Sequence, residues 1–171
     1  MLEPDQERIL CLDVRPRSFA FVVFEGPKLV LDWGARSFRR GVNAVRVPLG
    51  IKVARLLDEY APCVVVLERP RTRKHVRIVA AIRKQAKLQR IPIRLVSARA
   101  KDEAFSGSND NKHQIASALA TRFPDLVSVL PPKRKAWQSE DYRMSIFDAA
   151  ALGTAHFERK RPSDPIFPQP H

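Results

Sequence analysis

The chain of 171 residues has only two cysteines and no long apolar run. Cys11 and Cys63 both lie in short apolar segments, where a free cysteine packs as a small hydrophobic residue, so we predict two reduced thiols in the core. No stretch approaches the ~18 apolar residues that a membrane span requires. The acidic, polar N-terminus is also unlike a signal peptide, which needs a basic start and an apolar stretch. These absences predict a soluble, cytoplasmic protein without a membrane partner.

Acidic residues are scarce as well, numbering 18 against 31 Lys and Arg, which gives a net charge of +13 and a pI near 10.5. Such an imbalance favours a polyanionic partner, with nucleic acid first. Residues 69–101 contain 12 Lys or Arg and no Asp or Glu. A basic run is often only a solvated helix face, but its density beside a candidate active site favours phosphate contact. We predict nucleic-acid binding by Arg69, Arg71, Arg73, Lys74, Arg77 and Lys84.

The opening of the chain has the pattern of a β-meander. Residues 8–14, 18–25 and 28–38 are short segments rich in aliphatic and aromatic residues, separated by turns. Only three residues separate the first two segments, a spacing that suits an antiparallel hairpin. We therefore predict three consecutive strands at the start of a single domain, the number of domains that this length accommodates.

The middle of the chain alternates between helical and strand-like patterns. Apolar residues at helical spacing predict a helix that begins at Pro48 and ends near residue 60. Residues 62–68 form an unbroken apolar run, which is typical of a central parallel strand buried on both faces. A basic helix over 72–89 and a further strand over 91–96 follow. This alternation predicts βαβ crossovers after the meander.

The last part of the chain is predicted to be helical. Residues 106–111 have the composition of a turn that caps a helix over 112–122, and small apolar residues predict a final helix over 142–157. We place one domain at 1–157 and a proline-rich extended tail at 158–171.

Two acidic residues are predicted to meet at one edge of the sheet. Asp13 lies near the end of the first strand, and Glu68 ends the buried strand. If these strands are parallel neighbours, their ends lie ~4.8 Å apart. Ligand sites in open α/β sheets form outside the carboxyl ends of the strands. Because two adjacent carboxylates repel each other, their coexistence there calls for a cation.

A third carboxylate, Asp148, stands among small apolar residues of the last helix, where an uncompensated charge is unfavourable. Taken singly, each of the three acids is most often a turn residue, a helix cap or a surface ion-pair partner. Taken together, an acid at the end of each of two strands and a third acid in a late helix favour a functional site over three unrelated structural residues. Hard ions such as Mg²⁺ prefer carboxylate oxygen. Asp13, Glu68 and Asp148 are therefore the predicted metal ligands.

Four segments give the chain a family resemblance. They are ILCLDV at 9–14, VVVLERP at 64–70, GSNDNKHQI at 107–115 and FDAAALGTA at 147–155. Their ordered set resembles the RuvC-like Holliday junction resolvases of the RNase H-like superfamily. The resemblance implies an α/β fold with a five-strand mixed sheet in the order 3-2-1-4-5 flanked by helices. It also implies a homodimer and paired incision of branched DNA.

The resemblance also assigns roles to individual side chains. The loop lysine of such proteins matches Lys112, which either contacts the scissile phosphate or the nucleophilic water, or is a solvated lysine at a helix start. In this family a second metal-facing Asp or His commonly lies one helical turn from the last Asp. Ser145 occupies the position one turn before Asp148, and Asp141 lies two turns before it. These two residues are the candidates for an additional metal site.

The predicted function is a divalent-metal-dependent endonuclease. Mg²⁺ or Mn²⁺ held by the three carboxylates would activate water for in-line attack on a phosphodiester. Branched DNA is the favoured substrate. Two alternatives stay open: a YqgF-like nuclease that processes structured RNA, and a non-cleaving nucleic-acid-binding module.

Overall fold

The computed structural model of the protein describes residues 6–37, 42–105 and 111–160, and for residues 42–48 and 160 it describes the backbone alone. A 3-10 turn at Pro124–Val129 precedes the last helix. The strands and helices of these ranges are β1 (Arg8–Arg15), β2 (Ser18–Glu25), β3 (Leu29–Ser37), α1 (Val42–Tyr60), β4 (Val64–Glu68), α2 (Arg73–Leu88), β5 (Ile93–Val96), α3 (Ala98–Glu103), α4 (Lys112–Arg122) and α5 (Met144–Lys160).

The five strands form one mixed sheet in the order β3-β2-β1-β4-β5, which confirms the predicted order. The first three strands form an antiparallel meander. Strands β4 and β5 run parallel to β1 and are reached by helical crossovers. In the register of β1 with β4, Leu12 lies opposite Leu67, so the two strands end side by side.

The core lies on both faces of the sheet. Side chains alternate between the faces of a strand, so Ile9 and Cys11 of β1 pack on one side, while Leu10 and Leu12 pack on the other. Helix α5 covers the first face, and α1 and α2 cover the second. Strand β4 is buried from both sides, as its unbroken apolar sequence predicts.

Helices α2 and α4 have the ends that their sequences indicate. Thr72 caps α2 by accepting a hydrogen bond from the His75 N–H. Asn111 caps α4 and forms a reciprocal capping box with Gln114. Such caps satisfy backbone N–H groups that have no partner inside the helix. The predicted helix over 112–122 is confirmed at both ends.

Two expectations about the middle of the chain are wrong. Helix α1 begins at Val42, six residues before Pro48, because an interior proline removes one backbone hydrogen bond without forcing the helix to start there. Cys63 is exposed rather than buried. It precedes β4, and its Sγ lies 3.4 Å from Glu7 Oε1. Cys11 is buried as expected.

The later part of the chain shows further differences. Helix α3 has no counterpart among the predicted helices, since its six residues lack an apolar periodicity and depend on a cap from Ser97. Helix α5 continues to Lys160, three residues beyond the predicted end of the domain. Except for Asn111 and residues 158–160, the predicted loop at 106–111 and the tail at 158–171 lie outside the described residues. Within the described ranges, none of the helices combines the length and the apolar character needed to cross a bilayer.

Candidate active site

The three predicted carboxylates line one cleft of about 450 Å³ at the carboxyl ends of β1 and β4. Asp13 follows Leu12 on β1, and Glu68 follows Leu67 on β4, so the register of these strands places both acids at the same edge. The alternation of side chains turns both toward the face that α5 covers. Asp148 enters the cleft from α5. Lys112, the first residue of α4, also lines it.

Arg15 bridges three acidic side chains in this cleft. Its Nε lies 3.0 Å from Asp13 Oδ2, and its Nη2 lies 2.6 Å from Asp148 Oδ2. Its Nη1 lies 2.6 Å from Glu140 Oε2. A guanidinium presents its N–H donors in a planar fork, so a single arginine can serve several carboxylates at once. Arg15 therefore neutralises charge from β1, α5 and the segment that leads into α5.

Glu68 is held by a different cation. The Lys101 Nζ on α3 donates a hydrogen bond of 2.8 Å to Glu68 Oε2. The Arg71 Nη2 lies 3.7 Å from the other carboxylate oxygen. The lysine is well covered, with 17% of its side chain exposed, whereas the arginine is 68% exposed. Lys101 is therefore the main counter-charge of Glu68.

Lys112 contacts the acids on the α5 side of the cleft. Its Nζ lies 2.9 Å from Glu140 Oε1 and 3.5 Å from Asp148 Oδ2. Because 58% of its side chain is exposed, its ammonium group faces both the acids and the solvent. This position fits the phosphate-contacting role that the sequence resemblance implies for Lys112.

Burial and neighbouring charges shift the pKa values of Asp13 and Lys101. Burial raises the pKa of the Asp13 carboxyl, and the nearby charge of Asp148 raises it further, against the opposing effect of Arg15 and Lys101. Burial alone would lower the pKa of Lys101, but the hydrogen bond to Glu68 and the surrounding acids raise it. Asp148 is thus close enough to disfavour the charged form of Asp13, a situation that a cation relieves.

The donor chemistry of the cleft fits a hard divalent ion. Asp13, Glu68 and Asp148 are partly buried and supply carboxylate oxygen, and a bound cation would offset the repulsion that Asp148 exerts on Asp13. The arrangement in the structure, however, uses protein cations for this neutralisation. Among the described residues, no three Asp, Glu, His or Cys side chains converge closely enough to ligate one ion. A metal ion at this site would therefore compete with Arg15 and Lys101 for the carboxylates.

The two candidates for an additional metal site are not brought into the cleft. Ser145 is buried, and its Oγ has no hydrogen-bond partner within the described part of the chain. Asp141 forms a bidentate pair with Arg143, at 3.0 and 2.7 Å. Hydrogen bonds from that arginine lower the pKa of the Asp141 carboxyl. The acid of this segment that pairs with residues of the cleft is Glu140, which contacts Arg15 and Lys112.

The predicted nucleic-acid-binding residues extend from the cleft outward. Arg69 and Arg71 follow β4 and line the cleft. The remaining four, Arg73, Lys74, Arg77 and Lys84, are exposed along α2, which contains no acidic residue. The cleft thus continues into a positively charged helix surface, a combination that can hold a phosphate backbone beside the carboxylates.

Sequence reasoning missed Arg15, Lys101 and Glu140. Arg15 lies two residues after Asp13 on β1, so both side chains lie on the same face of the strand. This spacing could have indicated that Arg15 is close to the site. Lys101 is one of 12 Lys or Arg residues at 69–101, and the sequence does not distinguish it from the others. Glu140 precedes α5 by a few residues, and nothing in the local sequence separates it from Asp141.

No protein-family model and no curated protein sequence matches the chain. Solved structures do match. Thermus thermophilus RuvC in complex with a Holliday junction substrate is 13% identical, with a TM-score of 0.68 over 90% of this chain and 95% of that one. The yeast mitochondrial Holliday junction resolvase Ydc2 is also 13% identical, with a TM-score of 0.60 over 91% and 82%. The chain has the RuvC-like form of the RNase H-like fold.

A viral example extends the same fold likeness. The fowlpox virus resolvase, solved with Holliday junction DNA, is 16% identical, with a TM-score of 0.58 over 88% of this chain and 99% of that one. The RuvC-like fold therefore accounts for nearly the whole length of these solved proteins. At this level of identity the likeness establishes architecture, and the chemistry rests on the residues of this chain.

Proposed function

We propose that the protein is a divalent-metal-dependent endonuclease that cuts branched DNA, with a four-way junction as the preferred substrate. The observation that carries the proposal is the meeting of Asp13, Glu68 and Asp148 in one cleft at the carboxyl edge of a RuvC-like sheet. The basic surface that adjoins the cleft supports a nucleic-acid substrate.

In this proposal Asp13, Glu68 and Asp148 would hold Mg²⁺ or Mn²⁺. When bound, such an ion supplies Lewis-acid activation of water and neutralises charge on the phosphate. In the structure Arg15 and Lys101 neutralise these carboxylates. With the carboxylates engaged by an ion, both cations would be placed to contact phosphate oxygens in the same cleft. Lys112, already half exposed at its mouth, would orient the scissile phosphate.

The proposed assembly is a homodimer, since a four-way junction presents two equivalent strands for paired incision. We place the activity in the cytoplasm, where cysteines stay reduced. Size-exclusion chromatography with light scattering, run with and without junction DNA, tests the dimer.

The deciding experiment incubates the purified protein with four-way DNA junctions, plain duplex DNA and structured RNA, each with Mg²⁺, Mn²⁺ or EDTA. Symmetric, metal-dependent nicks on the junction alone are expected. Asp13→Asn is expected to abolish cutting while it leaves binding largely intact. Metal-dependent cutting that survives in this variant would falsify the assignment. Cutting restricted to RNA would support the YqgF-like alternative.

A second candidate function, a non-cleaving nucleic-acid-binding module, is favoured by one specific observation. The carboxylates are already neutralised by Arg15 and Lys101, and no three-ligand metal cluster is present among the described residues. Thermal melting separates the candidates, because an ion that binds only the folded state raises the melting temperature. Stabilisation of the wild type by Mg²⁺ or Mn²⁺, but not of Asp13→Asn, supports the nuclease; no shift supports the binding module.

A further inference from the structure

The segment between the 3-10 turn and α5, residues 131–140, carries an exposed aromatic side chain that the proposed catalytic chemistry does not use. We call this segment the connector; its sequence is PPKRKAWQSE. Trp137 is 78% exposed. Tryptophan is highly buried on average, so an exposure of this extent is unusual for this residue type. The connector is therefore a candidate contact surface.

The connector is fixed at both ends, to α4 at its start and to two residues of the cleft at its end. Near its start, the Pro131 carbonyl oxygen lies 3.1 Å from the Nε2 of His113, the residue after Lys112 on α4. At its other end, Glu140 is bound by Arg15 and by Lys112 in the cleft. Trp137 precedes Glu140 by three residues, a chain length that spans at most ~11 Å. The tryptophan is thus tethered within reach of the cleft.

A hydrogen-bonded turn presents the Trp137 side chain to solvent. The Gln138 N–H donates to the Lys135 carbonyl over 3.0 Å, and the Lys135 N–H donates to Gln138 Oε1 over 2.9 Å. Arg134 Nη1 closes the same turn on the Gln138 carbonyl at 3.2 Å. These bonds order the backbone on either side of Trp137. Its exposure is therefore a feature of a defined turn.

The charge around Trp137 identifies the chemistry of its partner. Lys133, Arg134 and Lys135 are consecutive, exposed, and without a carboxylate partner in the part of the chain that the structure describes. The Lys135 Nζ lies 5.6 Å from the centroid of the Trp137 ring. An aromatic platform flanked by cations suits single-stranded nucleic acid, because each base offers a stacking face and each linkage a negative charge.

We propose that the connector binds an unstacked strand of nucleic acid, with a base stacked on Trp137 and the adjacent phosphates on Lys133, Arg134 and Lys135. The inference rests on the proposed function, and it deepens that function by assigning a surface for the unpaired nucleotides of a branch point. It adds a contact on the α5 side of the cleft, separate from the basic surface of α2.

The chain offers a direct spectroscopic test, since Trp33 and Trp137 are its only tryptophans. Trp33→Phe leaves Trp137 as the sole reporter and keeps an aromatic ring on β3. We would titrate this variant in EDTA with short oligothymidylate, blunt duplex DNA and a four-way junction. Saturable quenching of Trp137 fluorescence is expected with oligothymidylate and the junction, and weaker quenching with the duplex, whose bases are already stacked.

Affinity provides the second readout. In the otherwise unchanged protein, Trp137→Ala is expected to weaken oligothymidylate binding about 5- to 150-fold, the range for loss of one stacked base. Trp137→Phe should retain part of that affinity because it keeps a ring. The matched control is Leu29→Ala, which removes a 47% exposed apolar side chain at the sheet edge formed by β3 and should change nothing.

Each outcome decides the inference. An unchanged Trp137 signal at saturating oligothymidylate, or wild-type affinity in Trp137→Ala, would overturn it, as would absence of binding to all three nucleic acids. If the junction is cut normally while Trp137→Ala binds like the wild type, the connector inference fails and the proposed function stands. If Trp137 is quenched but no metal supports cutting, the nuclease proposal fails and the inference stands.

Discussion

Helix α5 is buried on almost every side, whereas α2 buries four residues and turns the rest of its surface to solvent. The acid that α5 contributes to the cleft, Asp148, is only 16% exposed and is held by Arg15 and Lys112. By contrast, α2 carries six exposed cations and no acid. One helix thus positions a single acid through specific contacts, and the other presents a group of cations to solvent.

This contrast separates two uses of charge. A carboxylate that binds a metal ion or contacts a reacting phosphate depends on its exact position, so a neighbouring acid cannot replace it. A cation that attracts a nucleic-acid backbone acts through its sign, and neighbouring cations share the task. Loss of the Asp148 charge on α5 should therefore abolish cutting, whereas loss of cations on α2 should weaken binding in a graded way.

The largest expected effect is on cleavage by Asp148→Asn. This substitution keeps the shape of the side chain and removes the charge that would hold the ion, so junction cutting should fall by at least about 100-fold. Single-turnover cleavage with Mg²⁺ measures it. Glu158→Gln, on the same helix but outside the cleft, is the matched control. Equal rates in the two variants would contradict a special role for Asp148.

The next effect tests how tightly α5 packs. A Cβ on Gly153 would lie within 2.9 Å of three ring carbons of Phe24, which is fully buried between Phe123 and Phe157. Gly153→Ala should therefore lower the free energy of unfolding by ~1–3 kcal/mol, measured by urea denaturation.

The control for this packing effect is Gly50→Ala on α1. Its added Cβ would meet only Gln85 Nε2 at 3.5 Å, an ordinary contact. Alanine favours a helix over glycine by up to ~1 kcal/mol, so this variant should be at least as stable as the wild type. A stable Gly153→Ala protein would show that α5 can move away from the sheet.

A smaller and graded effect is expected on α2. Replacing Arg73, Lys74, Arg77 and Lys84 together by Gln should weaken junction binding and flatten its salt dependence by up to ~0.9 in log–log slope for each phosphate that the protein no longer neutralises. Any one of the four substitutions alone should change affinity only slightly. Fluorescence anisotropy over a range of salt concentrations measures both. Lys28→Gln, in the turn at the opposite end of the sheet, is the control.

The smallest effect concerns stability at the cleft. Burial, followed by the charge of Asp148, raises the pKa of Asp13 in the folded protein above its unfolded value. The stability from this group is therefore present below the unfolded pKa and is lost as pH rises through the folded pKa. In EDTA at neutral pH, Asp13→Asn should unfold at a slightly higher temperature than the wild type, and the difference should vanish on acidification. A lower melting temperature at neutral pH would show that the Arg15 contact outweighs burial.

Much of the fold follows from local patterns in the sequence. The unbroken VVVLE run marks the central strand, the Asn111 capping box marks the start of α4, and the apolar stripe of Ile78, Val79, Ile82 and Ala86 marks the buried face of α2. Short elements without such a pattern, such as α3, could not be predicted. The start of α1 could not be predicted either, because a proline inside a helix has the same local signature as a proline in its first turn.

The candidate site divides in the same way. Asp13, Glu68 and Asp148 could be named from the sequence, because each acid stands against an apolar background where a charge is costly. Their counter-charges could not. Arg15, Lys101 and Glu140 lie in polar or basic segments where many neighbours look alike, and only the contacts in the structure distinguish them.

By itself, then, the sequence determined the order of the strands and of every helix except α3, the three acids and the basic surface, since apolar patterning and charge can be read from each residue type. The tertiary structure alone decided which cation neutralises which acid, that Glu140 rather than Asp141 pairs with Arg15 and Lys112 of the cleft, and that Trp137 faces solvent. These are contacts between segments far apart in the chain, and they depend on distances of a few ångströms that no local pattern encodes.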